Sequence, residues 1–444
     1  MPVVTLVGSG SVEFTHEIVS DLLQDARIQG LELRLMDRDA ERLATSRRLV
    51  DRLIQEARRQ DVSVRATMDL TEAVAHADYV INTILVGGRA AIERDFEILG
   101  RYGLRQTVGD TLGVSGIARA IRTIPAVLAI ARTMEAVCPD AVLLNYTNPM
   151  SMLMMALDRT SPVEHYGLCH STEHTIETLA GYLGVPVEEV EWTACGINHL
   201  AWILRLSHRG VDLYPALYKK ASEPDIWRQD AVRFELMRFF GYFVTESSKH
   251  VAEYLPYFIV HQAEVERLLI PLNEYLTRAR PDLAERLSKD DGSSWLLPPS
   301  GEYAPQFIGA RESHEAWRFQ GNVKNRAYVT NLPPGASVEV PCRMVKGQVI
   351  PEAMGALPEP LAALTRQMIA VQELTVSGVL DGNRDLIDEA VALEPQAALR
   401  LTLDQMRAVV DDLVDAMGPM SPPLARRRIF GRLGAAEEEG PPGT

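Results

Sequence analysis

Two short breaks pair a cysteine or asparagine with a histidine. Gly167-Leu168-Cys169-His170-Ser171 and Gly196-Ile197-Asn198-His199-Leu200 each follow an apolar run, and Cys169 and His199 lie thirty residues apart. A thiolate and an imidazole together suit a divalent transition metal. A closed structural zinc site needs four protein ligands. The pair therefore reads either as an open site that substrate hydroxyls and water complete, or as two buried residues holding nothing. A third segment, Asn145-Tyr146-Thr147-Asn148-Pro149, follows a strand-like run. Asn148 there is either a hydroxyl-binding amide at a strand end or part of an Asn-Pro turn. The fourth segment runs from Glu246 to Tyr257 and mixes acids, a histidine, a lysine and tyrosines. A tyrosine beside a divalent cation can act as a base, and the same composition also fits an amphipathic surface loop.

A different chemistry is written at the start of the chain. Gly8-Ser9-Gly10-Ser11-Val12-Glu13-Phe14 lies between the strand-like Val3–Val7 and a helical stretch. Glycines allow a tight turn and close backbone approach to a pyrophosphate, and the following helix offers unpaired N–H groups. Asp37 closes the second strand-like run, 27 residues after Gly10. An acid there accepts from both ribose hydroxyls, which favours NAD over NADP. Glu13 stands where a third glycine would complete G-x-G-x-x-G, so by itself the segment also reads as a plain strand-to-helix turn.

The elements that must position these residues alternate. Strands are predicted at 3–7, 31–36, 62–66, 77–83 and 141–144, with helices at 17–26, 40–59, 70–76 and 121–137 between them. That alternation implies a parallel sheet with crossover helices. Beyond about residue 165 the pattern changes to short strands (190–195, 202–206), helical stretches (225–240, 261–287), an extended run at 323–341 and a nearly all-helical 359–417. The expected architecture is α/β: a Rossmann-like parallel-sheet domain over residues 1–165, then an α+β substrate and oligomerisation domain over 166–433 whose last helices pack back. Residues 434–444, small, acidic and rich in Pro and Gly, are expected to form a flexible tail.

The 444 residues can bury a large core unaided, and 46% hydrophobic with 24% charged residues is ordinary for a globular chain. A net charge of −15 with no basic stripe argues against a nucleic-acid partner. Four cysteines without a CxxC pair fit a reducing compartment. With no basic-then-apolar leader, the expected place is the cytoplasm, with no membrane partner.

Taken in order, GSGSVEFT, Asp37, GDTLG (109–113), NYTNP, CHS, GINH, EYLPY (253–257) and NLPPGASVEVP (331–341) resemble glycoside hydrolase family 4, the NAD- and manganese-dependent glycosidases. This family stands outside the two-carboxylate glycosidase scheme. The resemblance implies a lactate/malate dehydrogenase-like architecture, and a cycle in which NAD⁺ takes hydride from C3 of the sugar. A base then removes the acidified C2 proton, the glycosidic oxygen leaves, water adds, and NADH returns the hydride. By position it implies Cys169 and His199 as ligands of Mn²⁺ or another divalent transition metal. It implies Asn148 and Asn198 as substrate-binding residues and Tyr254 as the base. His170 and Asp110 are the candidates for leaving-group acid, and residues Gly8 to Phe14 with Asp37 hold the cofactor.

CHS resembles the branch acting on unphosphorylated α-glycosides, above all α-galactosidases; α-glucosidase or α-glucuronidase activity is the alternative within the family. The family is usually oligomeric, so a homodimer or homotetramer is expected. Two readings from other classes are an NAD-dependent hydroxy-acid dehydrogenase, which needs a His/Asp relay and carboxylate-holding arginines but no metal, and a non-catalytic NAD sensor, which dispenses with Cys169, His199 and Tyr254.

Overall fold

The computed structural model describes residues 1–277, 286–287 and 294–428. Runs that are apolar on both faces form the centre of one 13-stranded sheet. Strands β1 (Val3–Val7), β2 (Leu31–Met36), β3 (Val62–Thr67), β4 (Tyr79–Asn82), β5 (Val142–Asn145) and β6 (Glu164–Leu168) all pair in parallel. Their order is β3-β2-β1-β4-β5-β6. Crossover helices cover both faces, and separate apolar cores fill the space beneath them. The connections turn in opposite directions from β1 and β4, so a crevice opens beyond the carboxyl ends of those two strands.

The sheet does not stop there. Strand β6 pairs antiparallel with β11 (Trp317–Lys324), which pairs with β12 (Ser337–Val345). Beyond these lie β7 (Val190–Ile197), β8 (Leu200–His208) and the short β10 (Phe243–Val244). The two-residue β9 (Val211–Asp212) and β13 (Gln348–Pro351) add to β8 and β12 at the sides. Residue 165, taken as a domain limit from the sequence, lies inside β6, and the sheet passes it unbroken. The sixth strand escaped the pattern reading because Glu164-His165-Tyr166 is polar and only half buried.

Other expected elements shift for local reasons. The first helix runs Val12–Gln24 and starts directly on the glycine turn. The expected helix 225–240 is two helices, Pro224–Gln229 and Ala231–Phe240, which meet at Asp230. In the expected helix 261–287 the described part holds Gln262–Arg267, Glu274–Thr277 and the helical residues 286–287, with Pro271, which has no N–H to continue the ladder, between the first two. The extended run 323–341 is the end of β11 and the start of β12, with a loop between them. The long C-terminal helical stretch is four helices, interrupted at Gly382, at Pro395 and at Thr402, which closes a capping box with Gln405. The expected tail 434–444 lies outside the described residues.

The helix Gly113–Val137 is long and apolar enough by length and composition to cross a bilayer, but 78% of its most apolar window is buried inside the protein. It is the central helix of one core.

The glycine turn is sterically exact at its first residue. Gly8 has φ +88°, its N–H donates to Met36 at 2.9 Å, and an added Cβ would sit 2.8 Å from the Ile84 nitrogen at the end of β4. Gly8→Ala is therefore expected to cost about 1–3 kcal/mol of stability through forced backbone strain. A melting temperature unchanged from the parent chain would show that this contact yields without cost.

Candidate active site

Among others, the topology turns six separate sequence segments toward one cleft of about 540 Å³. Glu13 and Phe14 enter it from the first helix, and Asn148 from the end of β5. Cys169 and His170 come from the end of β6, at the start of the helix Ser171–Leu183. His199 comes from the turn between β7 and β8, and Glu246, Lys249 and His250 from the start of the helix Ser248–Tyr254 and the turn before it. Asp110 reaches it from the loop before the helix Gly113–Val137.

Two of these residues hold unusual backbone. His199 has φ +63° and Glu246 has φ +72°, in the left-handed region that glycine fills more cheaply. Side chains kept at that cost point to a function for them.

Cys169 and His199, thirty residues apart in sequence, both line this cleft, and each shifts the other's titration. Burial pushes the Cys169 thiol up, but the neighbouring His199 charge and hydrogen bond carry it below its ordinary value. Burial likewise disfavours the charged form of His199, and the Cys169 thiolate outweighs it, to about 9. The start of the Ser171–Leu183 helix further favours the thiolate.

His199 is also part of a second grouping: one donor atom each from Asp110, His199 and His250 lie within 4.8 Å of one another. His250 is fixed from behind, its Nδ1 lying 2.6 Å from Glu246 Oε2 and 2.8 Å from Ser247 Oγ. This leaves Nε2 facing Asp110 at 3.8 Å. A carboxylate behind an imidazole whose other nitrogen faces the site is the usual second layer of a metal ligand. Burial raises the Asp110 carboxyl, but His250, His199 and Arg119 together hold it ionised, well below the usual range. The two imidazoles and the carboxylate of this grouping fit a divalent transition metal, and the Cys169 thiolate lines the same cleft.

Buried acids hold this arrangement. Glu253, fully buried, accepts N–H bonds from Thr107 (2.7 Å), Val108 (3.1 Å) and Gly109 (2.8 Å) and so fixes the loop that presents Asp110. The Asn148 amide donates to Asp110 at 3.4 Å, and Arg119 donates to the Asn148 carbonyl at 3.1 Å. His170 Nδ1 lies 3.0 Å from the buried Glu302. Burial lowers His170, but the Glu302 hydrogen bond and charge outweigh it and raise the ring to about 9, so it is cationic at neutral pH.

Two expected residues are placed elsewhere. Tyr254 is fully buried and outside the cleft lining; its hydroxyl makes a 3.2 Å hydrogen bond with Nδ1 of His199. Asn198 is fully buried too, and its amide donates to Glu339 at 3.4 Å rather than facing the cleft. Two other tyrosines line the cleft: Tyr146, whose hydroxyl accepts from Ala304 N–H at 2.7 Å, and Tyr275, whose backbone N–H donates to Thr107 at 3.2 Å and which lies in the field of Arg119. Sequence reasoning passed over Tyr275, His250 and Glu246. The Glu246–Tyr257 segment was noticed for its composition, and nothing in its spacing separates His250 from Tyr254.

On the other side of the glycine turn lies a cavity of about 410 Å³ lined by Gly8, Ser11, Asp37, Arg42 and Thr83. Gly10 N–H donates to Asp37 at 2.8 Å, and Arg42 donates twice to the Gly10 carbonyl. The helix that follows has no side-chain cap on its first N–H groups, which leaves them for an anion. The turn divides between the two cavities, Gly8 and Ser11 lining this one and Glu13 and Phe14 the first.

The Family 4 glycosyl hydrolase model matches residues 3–185, and the Family 4 glycosyl hydrolase C-terminal domain model matches residues 194–397. An alpha-galactosidase of Bacillus subtilis (strain 168) is 39% identical over 430 residues, covering 95% of this chain and 99% of the relative. An alpha-galactosidase of Rhizobium meliloti (strain 1021) is 30% identical over 439 residues, covering 95% and 89%. A 6-phospho-alpha-glucosidase from gut microorganisms, solved with NAD and Mn²⁺, superposes with a TM-score of 0.78 at 20% identity, covering 96% of this chain and all of that one; at that identity the likeness shows the fold.

Proposed function

This chain belongs to family 4 of the glycosyl hydrolases, and from that premise we propose that it cleaves α-galactosides with NAD and Mn²⁺ in the cleft. The observation that carries the reading is that a single cleft holds both the end of the glycine turn and the Cys169–His199 pair. When bound, NAD would supply reversible hydride acceptance from the sugar, and a divalent ion would supply Lewis acidity to its oxygens.

The remaining work falls to the chain. Gly8 to Phe14 and the free N–H groups of the first helix hold the pyrophosphate, and Asp37 takes the ribose hydroxyls. Cys169 and His199 are the metal ligands, with His250 and Asp110 facing the same point. Asn148 holds a sugar hydroxyl beside the nicotinamide. Tyr275, in the cleft beside Arg119, takes the C2 proton, and Tyr254 orients His199 from behind. His170, kept cationic by Glu302, gives a proton to the departing glycosidic oxygen.

Stripping with EDTA is expected to abolish hydrolysis of p-nitrophenyl α-galactoside, and adding Mn²⁺ and NAD⁺ together is expected to restore it. Activity indifferent to both additions would remove this reading. Substrate deuterated at C2 or C3 is expected to turn over more slowly, which no two-carboxylate glycosidase requires.

A further inference from the structure

The run NLPPGASVEVP at 331–341 contributed no site residue, yet it contains an acid that the cleft chemistry leaves unused. Glu339, on β12, is fully buried and does not line the cleft. Its carboxylate accepts from the Thr172 hydroxyl, from the Asn198 amide at 3.4 Å and from the Asn322 amide opposite it on β11. These donors bracket both proposed metal ligands. Thr172 lies three residues after Cys169, and Asn198 directly before His199. The Asn322 amide also donates at 3.4 Å to the carbonyl of Gly167, two residues before Cys169. The Glu339 backbone pairs with Gly196 on β7, the strand that runs into the left-handed His199 turn. All three side-chain donors are neutral and none accepts from Glu339, an arrangement that suits a carboxylate better than a carboxylic acid. Burial pushes the carboxyl up against them, and the His199 charge opposes burial.

We propose that Glu339 is a positioning residue for the metal: it ties the Cys169 and His199 segments together from behind and adds a fixed negative charge that favours a dication between them. This rests on the metal assignment of the cleft and extends it into the core. A buried carboxylate whose hydrogen-bond donors are all neutral is costly to the fold. An amide of the same shape would fill the place at lower cost, so stability alone does not account for an acid here. The charge does reach the ligands: it raises the Cys169 thiol, and His199 acts on it in return. Without a cation, Glu339 therefore works against the Cys169 thiolate. A dication at the pair attracts both charges, and in a buried setting that attraction is poorly screened.

Two variants separate charge from shape. Glu339→Gln keeps the shape and removes the charge; Glu339→Asp keeps the charge and withdraws it by one methylene. Mn²⁺ affinity is read from the electron-spin signal of the free ion, and the melting temperature is taken on the metal-free protein. In Glu339→Gln, Mn²⁺ affinity is expected to fall about tenfold or more, while the melting temperature holds or rises because a costly buried charge has gone. In Glu339→Asp the melting temperature is expected to fall, with Mn²⁺ bound more tightly than in Glu339→Gln. NAD⁺ affinity, measured by calorimetry, should hold in both, since Glu339 does not line the cavity of Gly8 and Asp37. Mn²⁺ affinity within twofold of the unsubstituted protein in Glu339→Gln overturns the proposal, as does a Glu339→Asp variant that binds Mn²⁺ no better than Glu339→Gln. A melting temperature that falls together with Mn²⁺ affinity in Glu339→Gln makes the residue a structural strut and overturns it too. An unsubstituted protein that binds no Mn²⁺ would instead remove the metal assignment beneath it.

Discussion

Cys169→Ser is expected to lower α-galactoside turnover by about a thousandfold or more, equal to about 4 kcal/mol of barrier. The reason lies in the donor set. In the proposed site the thiolate is the soft ligand, and the neighbouring His199 carries its pKa below the ordinary thiol value. A serine hydroxyl at the same place stays protonated and offers a weak, hard donor. Mn²⁺ binding, followed by the electron-spin signal of the free ion, should weaken in parallel. NAD⁺ affinity should hold, because Gly8, Ser11 and Asp37 line a cavity that Cys169 does not reach. Full activity in this variant would show that the metal sits elsewhere.

The second large effect distinguishes two tyrosines. Tyr275→Phe is expected to lower kcat by about 10²–10⁴-fold, the usual worth of a proton-transfer group. Exchange of C2 deuterium with solvent should disappear, while Mn²⁺ and NAD⁺ affinities stay unchanged. Tyr254→Phe should behave differently. Its hydroxyl lies 3.2 Å from His199 Nδ1 and is closed off from the cleft, so its loss disorders a metal ligand. Mn²⁺ affinity is expected to fall by about 10–100-fold, as for other partners behind metal ligands, with C2 exchange persisting at saturating metal. The reverse pattern, with exchange lost in Tyr254→Phe and kept in Tyr275→Phe, would return the base to Tyr254.

Much of the fold was legible because its signals are local. Val3–Val7 and Val142–Asn145 are mostly apolar on both faces, and Leu31–Met36 alternates apolar with charged residues, so all three read as strands at once. The glycine turn is legible for the same reason, since Gly8 must be glycine where its chain presses on Ile84. The polar edge of β6 was not legible: Glu164 and Tyr166 earn their place through a tertiary ion pair with Arg311 and packing on Phe307. Likewise Gly382, Pro395 and Thr402 divide the last helical stretch into four, although its apolar periodicity runs through all of it.

The amino-acid sequence by itself determined the parallel-sheet start and the glycine turn after the first strand, and its ordered motifs pointed to Asp37, Cys169 and His199, the last two of which line one cleft. These depend on residue type and near-neighbour spacing, which a linear chain displays. Only the tertiary structure decided which side chains share the cleft. The hydrogen bond that Tyr254 makes to His199, the Glu246 carboxylate behind His250, the turn of Asn198 toward Glu339 and the arrival of Tyr275 beside Arg119 all depend on where distant segments cross. A period of 2 or 3.6 residues says which face of an element is buried, and it carries no information about which neighbour waits there.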